Sequence, residues 1–435
     1  MDNLLNTKGT LWFEDDENNK FNGIILEKNK QYILKTDIES KFHKQYHNKK
    51  IIIGNINETE VTIHINQSIF PFKLLSFSID YLLKNYHNET NLNFKEINIK
   101  FLNLEEWIGI KTFKTEYENN VHMITTHDED ITFNLQKFNM TFNLKSKITE
   151  SLDSFCIKPN YSIKIKYGRE TNIKQILKDI TLIKKFLIFL MYNNTEIKRI
   201  TCNIDNENYQ LNEIEIHSKL FNTDVDKLNR HDILIHIEEI KNKPYIFEKW
   251  FEINKKYKPL FDIYFMNFLT TPYLEYQFLS NTQALEAYLR KNEQYEDNYM
   301  SITEYENIKK EFSKFIEKLD ISKDHKESLK SRIRYGNEIS LRKRLKELIN
   351  ELNEYKIINK LINGNKNKLI VDIVDARNYF THYDKSSNYK KNNEKLLKLN
   401  YKLKILMELC ILKELGFENE FIDTKLEIKY NNILK

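Results

Sequence analysis

Strict alternation of apolar and polar residues dominates the first part of the chain. Val61-Thr62-Ile63-His64-Ile65, Ile97-Asn98-Ile99-Lys100-Phe101, Ile131-Thr132-Phe133-Asn134-Leu135, Met140-Thr141-Phe142-Asn143-Leu144 and Tyr161-Ser162-Ile163-Lys164-Ile165 each offer one face to a core and one to water. Such runs, separated by polar loops, predict half-buried antiparallel strands in a sandwich or open barrel. From about residue 171 the period lengthens. Ile173, Ile176, Leu177 and Ile180, continued by Phe186, Leu187 and Leu190, share one helix face. Ile233-Leu234-Ile235-His236-Ile237 reads as one more strand, and helical spacing returns at 246–251 and 260–268. Thr270-Thr271-Pro272 interrupts it, because proline biases the residue before it away from helix, and the main domain boundary is expected there.

Beyond Pro272 the pattern is helical over roughly 274–292, 303–320, 324–335, 340–362, 366–383 and 393–416. Gly336 and Gly364 fall in gaps, and Gly416 suits a helix C-terminus. The expected class is α+β: a β-rich domain over 1–170, an α/β extension over 171–270, and an all-α helical bundle over 271–435.

Composition narrows the function classes. The 435 residues are 40% hydrophobic and 30% charged, with a net charge of +5, as in a soluble globular protein and unlike a disordered one. The longest apolar run, Phe186 to Met191, is far short of the roughly 18 residues that span a bilayer. The first residues have neither the basic nor the apolar region of a signal peptide, so a cytoplasmic protein with no membrane partner is expected. Three scattered cysteines, Cys156, Cys202 and Cys410, make neither a disulfide framework nor a metal cage. His122 and His127, like His231 and His236, are separated by four residues, but no carboxylate or cysteine arrangement completes a zinc site. Eight scattered glycines form no phosphate-cradling loop, which argues against nucleotide hydrolysis, and no cofactor is expected.

The abundance of Asn, Lys and Ile reads as codon bias, so lysine runs and the Asn57-Glu58-Thr59 glycosylation match carry little weight. The three alanines, Ala284, Ala287 and Ala376, instead cluster in two C-terminal helical segments, where small residues let helices approach closely. Residues 321–410 hold 21 lysines and arginines against 11 acidic residues, which points to a polyanion partner or to a solvated Lys-rich face. Arg332, Arg334, Arg342, Lys343, Arg344 and Lys346 are the densest part, with Tyr335 and Tyr379 available for base stacking.

The segment richest in chemistry is Asp375-Ala376-Arg377-Asn378-Tyr379-Phe380-Thr381-His382-Tyr383-Asp384. On a helix, Leu369, Ile373, Ala376, Phe380 and Tyr383 share one face, Asp375, Asn378 and His382 fall opposite, and Arg377 borders the apolar arc near Ile370 and Ile373. Arg377 and His382 are then about 140° apart. One straight helix does not aim both at one small group, but two copies paired across a two-fold axis would bring Arg and His from both protomers into one cleft.

Arg377-Asn378-Tyr379-Phe380-Thr381-His382 resembles the R-x-x-x-x-H signature of the HEPN superfamily, placed on a late helix of a bundle. Phe278-Leu279-Ser280-Asn281-Thr282-Gln283-Ala284-Leu285-Glu286-Ala287-Tyr288-Leu289-Arg290 resembles the first helix of the ApeA-like subgroup. The strand followed by Leu102-Asn103-Leu104-Glu105-Glu106-Trp107 is similar to the β-rich ApeA N-terminal domain. The resemblance implies a metal-independent endoribonuclease of bacterial antiphage defence (abortive infection), acting as a homodimer through its HEPN bundle. It implies Arg377, His382 and Asn378 as catalytic residues, RNA as substrate, and products ending in 2′,3′-cyclic phosphate. Glu286 takes the place of an acidic residue facing the family's site, and its other reading is a pair with Arg290. Asp375 is an orienting candidate or a solvated carboxylate, and the N-terminal half is the expected place for a phage-derived trigger. Two other readings stay open: a bundle that grips RNA without cutting it, and a regulatory module docking an acidic protein.

Overall fold

Alternation does produce strands, and long-range pairing decides their arrangement. The structure, a computed structural model, describes residues 4–28, 31–46, 48–69, 73–86, 93–118, 121–126, 129–204, 212–218, 227–270, 272–382 and 392–431. Thr271, Tyr383, Asp384 and His127 lie outside them. The strands are β1 (Lys8–Phe13), β2 (Phe21–Lys28), β3 (Gln31–Glu39), β4 (Ile51–Ile56), β5 (Thr59–Ile69), β6 (Leu74–Lys84), β7 (Asn93–Phe101), β8 (Phe113–Glu118), β9 (Val121–Thr126), β10 (Glu129–Asn134), β11 (Phe138–Ser151), β12 (Ser154–Asn172), β13 (Ile197–Ile204) and β14 (Asn212–Ser218). Helices α1 (His43–Tyr46), α2 (Leu104–Ile108) and α3 (Ile173–Met191) are interspersed.

Twelve strands form one sheet in the order β10-β11-β12-β7-β13-β14-β6-β3-β2-β1-β4-β5, and β5 also pairs with β6. That last pairing closes β1–β6 into a barrel, so β6 belongs to both halves: its start pairs with β3 and its end with β14. Leu11, Phe13, Ile25, Leu34, Ile63 and Phe77 fill the barrel. The sequon-like Asn57-Glu58 is the two-residue turn between β4 and β5, with both φ angles positive (50° and 61°).

Residues 233–237 are a correction to the sequence reading, for they form no strand. Ile233, Leu234, Ile235 and Ile237 are buried, but their segment runs between two 3₁₀ turns. Leu190 O at the end of α3 accepts the amides of Leu234 and Ile235, and Ile235 O accepts from Trp107 Nε1 at 2.8 Å. A buried apolar run needs its backbone satisfied, and here a helix end and an indole do what a sheet neighbour would.

The chain divides into two units, Met1–Glu248 and Lys249–Lys435. Helix α4 (Pro244–Lys256) crosses the division, and the second unit continues with α5 (Lys258–Leu269), α6 (Leu274–Lys291), α7 (Ile302–Glu317), α8 (Lys323–Arg334), α9 (Leu341–Glu351), α10 (Lys356–Ile362), α11 (Lys366–His382), α12 (Asn393–Glu414) and α13 (Asn419–Tyr430). Pro272 therefore separates α5 from α6 inside the second unit, and α5 packs with the bundle. Tyr264 of α5 donates to Glu408 of α12 at 2.9 Å, and Tyr430 of α13 donates to the same carboxylate at 2.7 Å. Glu408 is fully buried, so its donors offset the cost of removing it from water. Tyr430→Phe is expected to lower stability by about 1.5–3 kcal/mol, read as a shift in the second unit's denaturant midpoint at unchanged m.

The helix expected over 340–362 is two. Residues Leu352–Glu354 form a 3₁₀ turn, Tyr355 is extended, and α10 restarts with its first amides, Lys356 N and Ile357 N, each donating at 2.9 Å to the Asp423 carboxylate of α13. That cap from another helix makes the break affordable. Gly416, at φ 81°, ends α12 as expected: Gly416 N donates to Lys413 O and Phe417 N to Leu412 O, the paired bonds of a Schellman motif.

Candidate active site

Helix α11 carries the Arg/His segment and packs against α6, α9, α10 and α12. Leu369, Ile370, Ile373, Ala376 and Phe380 are buried, and Phe380 meets Phe278 of α6 at a ring distance of 6.2 Å. Burying that face fixes the helix's rotation about its axis, which leaves Asn378 and His382 exposed and Asp375 and Arg377 half-buried. Lys395 of α12 pairs with Asp372 at 2.7 Å and holds the solvent side of the same helix.

Arg377 Nη1 donates to Asn378 Oδ1 at 3.2 Å, so the guanidinium and the carboxamide form one polar unit. Thr381 Oγ1 donates to the Arg377 carbonyl at 2.7 Å, a local bond that occupies this hydroxyl. His382 is the last residue of α11. Helical geometry places it about 7.5 Å along the axis and about 140° around from Arg377. The structure brings Arg377 and Asn378 together and leaves His382 apart from them within one chain.

The other candidates are dispersed. Tyr379 is half-buried with its ring against Phe380, 5.1 Å away. Glu286 accepts from Arg290 Nη2 at 3.2 Å, and Arg290 also reaches Glu338 at 3.3 Å. The i,i+4 pair is therefore where Glu286 is engaged. Arg332 and Arg334 are exposed in the last turn of α8, Tyr335 follows them, and Arg342 is exposed on α9. Lys343 is half-buried, 3.7 Å from Glu347 and 4.6 Å from the centre of the Tyr299 ring.

Arg344 is a correction. It is 0% exposed and donates to Asp297 Oδ1 at 2.8 Å and to the Ile339 carbonyl at 3.3 Å. A guanidinium removed from water in this way holds the 297–300 turn to α9 and has no surface for an RNA backbone.

A chain of amides, half-buried at Asn267 and buried at Asn281 and Asn400, went unread in the sequence. Asn267 Nδ2 donates to Asn281 Oδ1 at 2.7 Å, Asn281 Nδ2 donates to Asn400 Oδ1 at 3.2 Å, and Asn400 Nδ2 donates to Leu274 O at 3.1 Å. It ties α5, α6 and α12 together. Its only signal was an Asn at apolar helical spacing, and in an Asn-rich chain that signal is weak.

Two family models match the chain. Residues 6–250 match the family model ApeA N-terminal domain 1, which covers more than half of the chain, and residues 279–421 match Apea-like HEPN. No curated protein and no solved structure matches the chain. With the barrel-bearing sheet inside the first match and α11 inside the second, the chain belongs to the ApeA-like HEPN proteins.

Proposed function

We propose that this protein is a metal-independent endoribonuclease of antiphage defence, acting as a homodimer in the cytoplasm. The observation that carries the reading is the division of α11: a buried apolar face holds the helix, and Arg377–Asn378 and His382 stand on its accessible sides. RNA supplies its own nucleophile in the 2′-hydroxyl next to the scissile phosphate. The imidazole of His382 takes that proton as a general base. The guanidinium grips the phosphate oxygens in a fork and stabilises charge that grows on them, with Asn378 holding one of its nitrogens in place. The 2′-oxygen bonds to phosphorus as the bond from phosphorus to the 5′-oxygen breaks, and the leaving oxygen takes a proton from water, so the products are a 2′,3′-cyclic phosphate and a 5′-hydroxyl. Arg332, Arg334 and Arg342 are exposed cations for the flanking RNA backbone. The test is incubation of the full chain with mixed RNA in excess EDTA, followed by end analysis. Cyclic-phosphate ends support the reading, and salt-dependent binding that leaves all RNA intact would favour a non-cutting RNA module.

A second copy completes this reading, because one helix keeps Arg377 and His382 apart. Surface for that copy is available on α7, where Ile308, Phe312 and Phe315 are exposed at spacings of four and three residues, one stripe of the helix. Phe312 and Phe315 are 52% and 61% exposed, unusual for large aromatics on a surface. Phe312→Asp with Phe315→Asp is expected to change the light-scattering mass of the full chain from about twice 52.7 kDa to the single-chain value. A dimer that persists would place the interface elsewhere.

A further inference from the structure

The outward face of the barrel carries a groove that the reading above does not use. Strands β2, β3 and β6 supply it. Leu26 lies directly opposite Ile33, and Lys35 lies opposite Ser76. These positions alternate with Ile25, Leu34, Leu75 and Phe77, which point into the barrel, so they face outward.

Between Lys35 and Glu39 the β3–β6 register slips. Thr36, Asp37 and Ile38 on β3 stand against Leu75 alone on β6, and Thr36 Oγ1 donates to the Leu75 carbonyl at 2.9 Å. A bulge of this kind bends its strand, and here a cavity of about 970 Å³ lies beside it. Leu26, Ile33 and Leu74 are its apolar lining, and Leu74 is 46% exposed. Ser76 lines it too; it is 5% exposed, and its hydroxyl bonds to no described residue. Three exposed lysines line the groove, Lys28, Lys35 and Lys73, and none makes an ion pair with a described residue. Glu27 is the one carboxylate in the lining, and it has a partner of its own.

An apolar lining with a cationic rim is complementary to a molecule that has an aliphatic body and an anionic head. A peptide strand is the poorer fit. Each of β2, β3 and β6 is paired on both sides, so no free edge is offered for strand addition. The volume is that of a small-molecule site.

We propose that this groove binds a soluble single-chain amphiphile ending in a carboxylate or phosphate, with the chain on Leu26, Ile33 and Leu74 and the head among Lys28, Lys35 and Lys73. The inference stands apart from the nuclease reading, since no residue of α11 enters it. Titration calorimetry of the full chain with dodecanoate, dodecyl phosphate and dodecanol tests it. One-to-one binding of an anion is expected, weakened about tenfold or more by Lys35→Glu with Lys73→Glu, and dodecanol is expected to bind more weakly than either anion. Which anion binds tighter identifies the head. Ser76→Leu, which fills the groove without touching the charges, is expected to abolish binding, with circular dichroism and the thermal midpoint checking the fold. Three outcomes overturn the proposal: no heat with either anion below its micelle concentration, equal affinity for dodecanol, or unchanged affinity in both variants. Binding only to anionic phospholipid vesicles overturns it in favour of a membrane surface, and binding only to an acidic peptide overturns it in favour of a protein partner.

Discussion

His382→Ala is expected to slow RNA cleavage by on the order of 10²–10⁴-fold, the contribution of a positioned proton acceptor. The thermal midpoint should hardly move, because the side chain is exposed at the end of α11 and substitutions at such positions usually change stability by less than about 0.5 kcal/mol. Arg377→Ala should lose activity to a similar extent. Arg377→Lys should not restore it, since an ammonium lacks the planar fork and the reach to Asn378 Oδ1. The proposed two-fold pairing adds a sharper outcome. Mixed and refolded together, the inactive Arg377→Ala and His382→Ala chains should recover cleavage that neither shows alone, because a mixed dimer retains one intact Arg and one intact His. Lack of recovery in demonstrably mixed dimers would sink the shared cleft, and wild-type cleavage by His382→Ala would sink the imidazole's role.

How far this was legible beforehand differs from element to element. The division of α11 into faces could be read directly, because a 3.6-residue period and five apolar side chains leave one solution, and Leu369, Ile373, Ala376 and Phe380 are all buried. The five alternating strands were legible for the same reason. Closure of the barrel was not, since it depends on β6 accepting β5, β3 and β14 at once, and pairing partners leave no trace in a strand's own periodicity. Ile233–Ile237 misled because a short, nearly continuous apolar run shows that a segment is buried without showing what satisfies its backbone. Arg344 misled because charge in sequence says nothing of burial: Arg342, two residues earlier, faces water, and Arg344 faces the core of the same helix. The Asp423 cap that splits α9 from α10 lies 66 residues or more away in sequence, beyond any local pattern.

Lowering the pH from 7 to 5 is expected to destabilise the first unit by about 4 kcal/mol through two histidines that flank β6. His64 of β5 pairs with Tyr81 in register and stacks on its ring at 4.1 Å, and His217 of β14 pairs with the next residue, Leu82. Burial is the main cause of both shifts. It holds His64 down to about 4, helped by Lys174, and His217 down to about 3, helped by cations that include Lys84 and Arg199. Glu215 lies 3.4 Å from His217 Nε2 and would favour the protonated ring, but burial outweighs it. The sign follows from where the proton binds first. An unfolded histidine takes it near pH 6.5, so the stabilising effect is complete above that pH and is lost as the pH falls toward about 4 and about 3. Two neighbours do not cancel it. Lys184, held down to about 8 by burial, stays charged in both states below pH 7 and adds no slope there. Glu105, raised by burial, acts in the opposite direction, but as one group against two. Hydrogen exchange of β5, β6 and β14 amides in the full chain, corrected for the intrinsic pH dependence of exchange, measures the effect locally. His64→Phe keeps the stack on Tyr81 and removes one titration, so it should roughly halve the loss between pH 7 and 5. A loss of equal size in that variant, or ring protons titrating near 6.5, would count against burial as the cause. Because β6 is the strand that both halves of the sheet share, protonation at these two positions should loosen the barrel and the open sheet together rather than either alone.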